Sequence, residues 1–440
     1  MEFRELNIIS RIQKALEDQG YAQATPIQEQ AIPPLLEGLD LLGCAQTGTG
    51  KTAAFAIPIL QGLALAQGVQ KGQRQIRALI VAPTRELAIQ IRESFDACGA
   101  NLSLKTLVIF GGVGQAPQTQ SLQKGVDILI ATPGRLLDLI GQGFINLGQV
   151  KYFVLDEADR MLDMGMLHDV KRIIAYLPRE RQTMFFSATM PEEIAKLADT
   201  ILRNPVKIEI TPAFSPIDII EQGVYFVDKE NKSALLVHIL KNEAYDSVIV
   251  FSRTKHGADK IVKELSKKGF VAAAIHGNKS QTNRQQALGD FKERKIRILV
   301  ATDIAARGLD IEELSHVVNY NLPEVPETYI HRIGRTGRAG LGGKAISFCD
   351  FEEKPLLRDI QKLIGRTLPE IEEHPYPLQN NFIVPKAEPP QRPASSRGGS
   401  SGRSARTAVP DGFKTSRSSY APKRSTGSGA YNSKPITKNK

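Results

Sequence analysis

Short, almost wholly apolar runs recur along the first half of the chain: Ala78 to Ala82, Leu107 to Phe110, Asp127 to Ala131, Phe153 to Leu155 and Thr183 to Phe186. Each is too short for a helix and apolar on both alternating faces, the pattern of a strand covered from both sides. Polar residues and then a helix-like segment follow most of them, Glu86 to Ala97 being one. The same rhythm returns at Ser247 to Phe251, Val271 to Ile275, Ile298 to Thr302, His316 to Asn319 and Lys344 to Phe348. Strands that alternate with helices predict α/β architecture with parallel, doubly wound sheets, here two in tandem. Thr211 to Ile217 holds two prolines and no periodicity, and it predicts an interdomain linker. The expected division is residues 1–208 and 219–372 as domains, 209–218 as linker and 373–440 as a disordered tail.

Composition sharpens this division. A chain of 440 residues with 41% hydrophobic content is long enough for two ordinary domains and an appendage. The longest apolar stretch, Ala53 to Ala66, is interrupted by Pro58, Gln61 and Gly62, too short and broken to span a bilayer. No basic-then-apolar leader stands at the start, and three scattered cysteines make neither a disulfide framework nor a zinc site. The expectation is a cytoplasmic protein with no membrane partner. The net charge of +10 is confined to the tail: Lys386 to Lys440 holds 12 Lys/Arg against Glu388 and Asp411, leaving 45 of each sign before it. Rich in Pro, Ser, Gly and Arg, that segment buries too little apolar surface to offset its ordering entropy.

The chemistry concentrates in two places. Ala45, Gln46, Thr47, Gly48, Thr49, Gly50, Lys51 and Thr52 form a phosphate-binding loop opening a helix. Its glycines let backbone N–H groups curl around phosphate oxygens, Lys51 meets the β/γ-phosphates and the Thr52 hydroxyl holds Mg²⁺. Ala45 occupies the usual first glycine position, which suits a site needing a small side chain and no positive φ. Downstream, Asp156 ends the apolar run before it and so falls at the carboxyl end of a strand, placed to reach the metal. Glu157 beside it is placed to orient the attacking water, since phosphoryl transfer asks mainly for positioning and charge neutralisation.

Together with Asp156-Glu157-Ala158-Asp159, the remaining motifs resemble the DEAD-box RNA helicases from Phe3 to about residue 370, most closely the bacterial RhlE-like branch. The resemblance implies two RecA-like domains, ATP and Mg²⁺ as cofactors, and RNA-stimulated ATP hydrolysis coupled to local unwinding of short duplexes or remodelling of RNA–protein complexes. It implies that Gln28 pairs its amide with the adenine edge while Phe3 and Tyr21 pack on the base, and that Asp310 binds the ribose. Arg85, Gly112, Thr132 and Arg135 in the first domain, with Arg253 and Thr302 in the second, are the implied RNA-backbone contacts. Ser187 and Thr189 are the implied coupling residues, and Arg335 and Arg338 the arginine fingers that complete catalysis when the domains close. Single-stranded and short duplex RNA is the implied partner, alongside ribosomal or RNA-decay proteins. An ATP-gated RNA clamp and a DNA helicase are the competing readings, and the basic residues alone do not discriminate between RNA and DNA.

Overall fold

The computed structural model describes residues 1–45, 48–66, 74–210, 219–241, 245–306, 314–337 and 342–379. Among these, seven strands form one all-parallel sheet: β1 (Leu41–Cys44), β2 (Ala78–Val81), β3 (Thr106–Ile109), β4 (Ile128–Ala131), β5 (Tyr152–Leu155), β6 (Gln182–Ser187) and β7 (Val206–Glu209). Their order is β3-β4-β2-β5-β6-β1-β7. Alternation explains the continuous apolar runs. Ala78 and Ile80 enter the core on one face of the sheet, while Leu79 and Val81 enter the core on the other. The helix Lys51–Leu65, buried along most of its length, fills the first of these cores.

A second parallel sheet follows, built from β8 (Ile220–Phe226), β9 (Val248–Phe251), β10 (Ala272–Ile275), β11 (Ile298–Ala301), β12 (His316–Asn319) and β13 (Gly343–Cys349). Its order is β10-β11-β9-β12-β13-β8. It too has a core on each face, with Val248 and Val250 in one and Ile249 and Phe251 in the other. The two doubly wound parallel sheets are the fold that the hydrophobic pattern predicts.

Three strands escape that pattern. β1 is short and contains Gly43, against which the Phe186 ring packs so closely that a Cβ there would lie 2.6 Å from it. β7 alternates Val, Lys, Ile and Glu at the sheet edge, and β8 carries Glu, Gln and Gly in its first half.

Order continues past the boundary expected at residue 372. The segment after the helix Lys354–Ile364 runs along β8, with Val224 N donating to Pro369 O at 2.9 Å, Ile371 N to Val224 O at 2.9 Å and Leu378 N to Phe226 O at 3.1 Å. The edge strand of the second sheet is thereby covered, the usual protection for an otherwise unpaired edge. Hydrogen bonding and the Tyr225–His374 ring contact at 5.1 Å hold residues 373–379 that composition assigned to the tail. Of the expected linker 209–218, Glu209 closes β7 and residues 211–218 lie outside the described residues, as do residues 380–440 of the expected tail.

Candidate nucleotide and nucleic-acid site

Parallel strands bring their carboxyl ends to one side of the sheet, and the first sheet collects its motif residues there. β1 ends at Cys44, and the turn that follows passes through Gly48 (φ 86°) and Gly50 (φ 93°) into the helix at Lys51. Ala45 needs no left-handed backbone, since outside glycine positive φ occurs among the described residues at Glu157, Asn204 and Arg294. The Lys51 side chain is buried and donates from Nζ to Ala45 O at 2.8 Å, folding its ammonium over the loop. Thr52 is half-buried on the first turn. Gln46 and Thr47 lie outside the described residues.

Gln28 sits against this loop. It is the third residue of the helix Pro26–Leu36, and its Oε1 accepts from Thr25 N at 2.9 Å, closing the helix start. Its Nε2 donates to Gly50 O at 3.1 Å. A Cβ on Gly50 would lie 2.5 Å from Nε2, so the glycine serves the glutamine's approach as well as the positive φ. An amide oxygen has a second acceptor position and an amide nitrogen a second donor, so base pairing and this clamp are compatible. Nearby, Phe3 is buried and meets Tyr21 edge-on at 5.8 Å between ring centroids, while Tyr21 is 38% exposed. The exposed aromatic face is therefore that of Tyr21.

Asp156 and Glu157 follow β5 and are both buried. Burial pushes the Asp156 carboxyl up to about 6, with Lys51 opposing and Glu157 adding to the rise. Glu157 holds the left-handed conformation φ 54°, ψ 52°, which costs a non-glycine residue about 1–2 kcal/mol. It survives because its N–H donates to Asp156 Oδ1 at 2.9 Å and its Oε2 is 2.6 Å from Arg160 NH1. Among the described residues no group of three or more His, Cys, Asp or Glu could hold a metal by itself. A cation at Asp156 and Thr52 would draw its remaining oxygens from phosphates and water, as Mg²⁺ does.

The structure adds Asp159 to the residues singled out by sequence. Its Oδ2 accepts from Thr189 N at 2.9 Å and Thr189 Oγ1 at 3.0 Å, and its N–H donates to Ser187 Oγ at 3.2 Å. Parallel pairing of β5 with β6, Leu155 opposite Phe185, brings these two strand-end motifs together. The run of acids was visible in sequence, but the partner depends on which strand lies alongside.

A second cluster gathers at the ends of the adjacent strands β2, β4 and β3. Arg85 opens the helix Arg85–Cys98, capped by Thr84. Gly112 has φ 75°, and a Cβ there would collide with the Arg85 guanidinium. Thr132 is the N-cap of the helix Pro133–Gly141, and Arg135 on that helix donates to Val113 O at 3.3 Å. In the second sheet Arg253 follows β9, where it donates to Leu322 O at 3.3 Å and to Glu353 Oε1 at 2.9 Å. Glu353 is itself paired with the buried Lys232, which also lies 2.9 Å from Asp350. Thr302 follows β11, its N–H donating to Ile275 O at 3.3 Å.

Arg332 is buried in the second domain. It binds Asp303 through two nitrogens at 2.5 and 2.8 Å, reaches Asn319 Oδ1 at 3.1 Å and lies 5.0 Å over the Phe251 ring. It anchors the turn that carries Arg335, also buried, whose N–H donates to Arg332 O at 3.2 Å. Asp310 and Arg338 lie outside the described residues. The two sheets meet through Glu86, beside Arg85: Gln281 Nε2 donates to its Oε1 at 2.9 Å and Arg284 NH2 lies 3.1 Å from its Oε2. All three side chains are buried. The pairing spans 195 residues, so no local pattern in the sequence announces it.

Comparisons with known proteins agree on both halves. Residues 25–197 match the DEAD/DEAH box helicase family model and residues 231–340 the helicase conserved C-terminal domain. The chain is 43% identical over 382 residues to the DEAD-box ATP-dependent RNA helicase RhpA of Helicobacter pylori, covering 87% of this chain and 76% of that one. It is 42% identical over 371 residues to CshA of Bacillus subtilis, covering 84% and 74%. Saccharomyces cerevisiae Dbp5 bound to RNA and ADP BeF3 superposes with a TM-score of 0.73 at 31% identity, covering 84% of this chain and 95% of that one.

Proposed function

The chain belongs to the DEAD-box family of ATP-dependent RNA helicases, and on that premise we propose how its residues divide the work. The observation that carries the proposal is the buried junction of β1, β5 and β6. There Lys51, Asp156 and Glu157 lie together, and Asp159 ties them to Ser187 and Thr189. Gly48, Gly50 and Lys51 hold the triphosphate, while Thr52 and Asp156 would hold Mg²⁺, partly through water. The raised Asp156 carboxyl fits this assignment, since a buried anion that ionises with difficulty is stabilised by a nearby cation. When bound, the ion supplies charge neutralisation across the phosphates.

Gln28 reads the adenine edge and, through Gly50, transmits its presence to the loop. Tyr21 covers the base over a buried Phe3, and Asp310 takes the ribose. Glu157 orients the attacking water. Arg335 and Arg338 complete the charge clamp from the second domain when it closes, and the Glu86 contact to Gln281 and Arg284 holds the closed pair together. Arg85, Gly112, Thr132 and Arg135 with Arg253 and Thr302 track the RNA backbone, which gives affinity without reading sequence. Support for a shared closed state comes from Dbp5, whose complex holds RNA and a nucleotide together. Hydrolysis then reopens the cleft and releases RNA. The basic Gly/Ser/Arg-rich tail supports placement in the RhlE-like branch, with a cytoplasmic site of action and ribosomal or RNA-decay proteins as partners.

Comparison of Lys51→Ala with Glu157→Gln tests the division of roles. Lys51→Ala should weaken ATP binding, whereas Glu157→Gln should bind ATP normally and turn it over slowly in saturating RNA. Wild-type turnover by Glu157→Gln would remove the water-orienting role from that residue.

A further inference from the structure

Arg160 has no part in the roles assigned above, yet its guanidinium NH1 lies 2.6 Å from Glu157 Oε2, with the two side chains 9% and 4% exposed. The geometry is built from both ends. Glu157 stands at the start of the helix Ala158–Asp163 in a left-handed conformation, which turns its side chain away from the direction an ordinary helix would give it. Arg160 lies three residues on, where side chains of a helix meet across one turn. Its own position is fixed by Asp159, whose Oδ1 accepts from Arg160 N at 3.1 Å while Oδ2 receives the N–H and hydroxyl of Thr189. Contacts thus run without a break from Thr189 through Asp159 and Arg160 to the Glu157 carboxylate.

We infer that Arg160 is a positioning residue for hydrolysis: it holds one oxygen of Glu157 so that the carboxylate meets the attacking water in a fixed orientation. The inference rests on the reading of Glu157 as the water-orienting residue. A guanidinium suits this role, since its rigid fork forms short charge-assisted bonds to carboxylate at fixed angle. Such a group also supplies positive charge beside two buried carboxylates, so loss of fold stability must be separated from loss of orientation. Arg160 is joined to Glu157 and Asp159, so its effect is expected on the rate of hydrolysis more than on nucleotide affinity.

The test is a double-mutant cycle in the full chain with Glu157→Gln and Arg160→Ala. It reads RNA-stimulated kcat and the Kd of a fluorescent non-hydrolysable ATP analogue, with folding followed by circular dichroism. Arg160→Ala should lower kcat about tenfold while leaving analogue Kd within about twofold. Arg160→Lys, which keeps the charge without the fork, should recover part of the rate. On the Glu157→Gln background the second substitution should add almost nothing, because the oriented carboxylate is already gone. If Arg160→Ala does not fold, Arg160→Gln enters the same cycle in its place. A slow Glu157→Gln beside a wild-type rate in the Arg160 variant, or effects that multiply, would overturn this proposal alone. A wild-type rate in Glu157→Gln would overturn the Glu157 assignment and this proposal with it.

Discussion

Asp156 is placed where chemistry and stability pull apart. Its folded-state value of about 6 lies above the ordinary 3.8, so the native, ligand-free protein binds this proton more tightly than the unfolded chain does. The stabilisation from the protonated carboxyl is complete below pH 3.8 and is lost as pH rises through about 6. Asp156→Asn should therefore melt higher than wild type at pH 7.5 without nucleotide, by roughly 2–4 °C for each kcal/mol gained. It should also lose most of the thermal stabilisation that ATP and Mg²⁺ give wild type, because the anionic carboxylate facing the cation is gone. Differential scanning fluorimetry with and without nucleotide reads both effects. Gly112 makes a second residue-scale prediction. A Cβ there meets an unfavourable φ and the Arg85 guanidinium together, so Gly112→Ala should weaken RNA binding several-fold while ATP affinity is kept, as fluorescence anisotropy would show. Lys51 and the pair Asp156 and Glu157 could each be singled out from local pattern, since a loop opening a helix and an acid pair closing an apolar run each fall within one short stretch of sequence. Asp159 bonding to Thr189 and Glu86 bonding to Gln281 could not, because each partner is fixed by the packing of distant elements.

At the scale of elements, hydrophobic pattern found the strands that are apolar on both faces and missed those with another reason to exist. β1 is central in its sheet, yet its Gly43 trades side-chain apolarity for the approach of the Phe186 ring. β7 and β8 are edge strands: β7 exposes Lys207 and Glu209, while β8 exposes Glu221 and buries Gln222, whose Oε1 accepts from the Tyr329 hydroxyl at 2.9 Å. Composition places residues 373–379 in the tail because large apolar residues become few there, yet Leu378 N donates to Phe226 O at 3.1 Å and the His374 ring meets that of Tyr225. The contribution of the segment laid along β8 can be measured with two truncations. Removing residues 380–440 should leave the melting temperature near wild type, whereas removing 366–440 should lower it by several degrees and promote aggregation, because the β8 edge and its apolar cover are exposed. Equal melting temperatures would mean that the segment contributes no stability to the sheet.

For the molecule as a whole, residues 1–385, which carry both sheets, are formally neutral taken together, and the charge excess lies in residues 386–440. Deleting that segment should spare RNA-stimulated ATPase but lower RNA affinity and flatten its salt dependence, because phosphate contacts release counterions in proportion to their number. A salt titration of RNA binding by both chains decides this, and equal slopes would exclude the tail as an RNA tether. The central claim is that ATP at the first sheet and RNA across both favour one closed arrangement, joined through Glu86, Gln281 and Arg284. Linkage then requires each ligand to tighten the other by the same factor. The most direct measurement is RNA affinity with and without a non-hydrolysable ATP analogue, and analogue affinity with and without RNA, in wild type and Glu86→Ala. The account predicts reciprocal tightening of about tenfold or more in wild type, reduced in Glu86→Ala while each ligand alone still binds. RNA affinity that is indifferent to the analogue in wild type would contradict it.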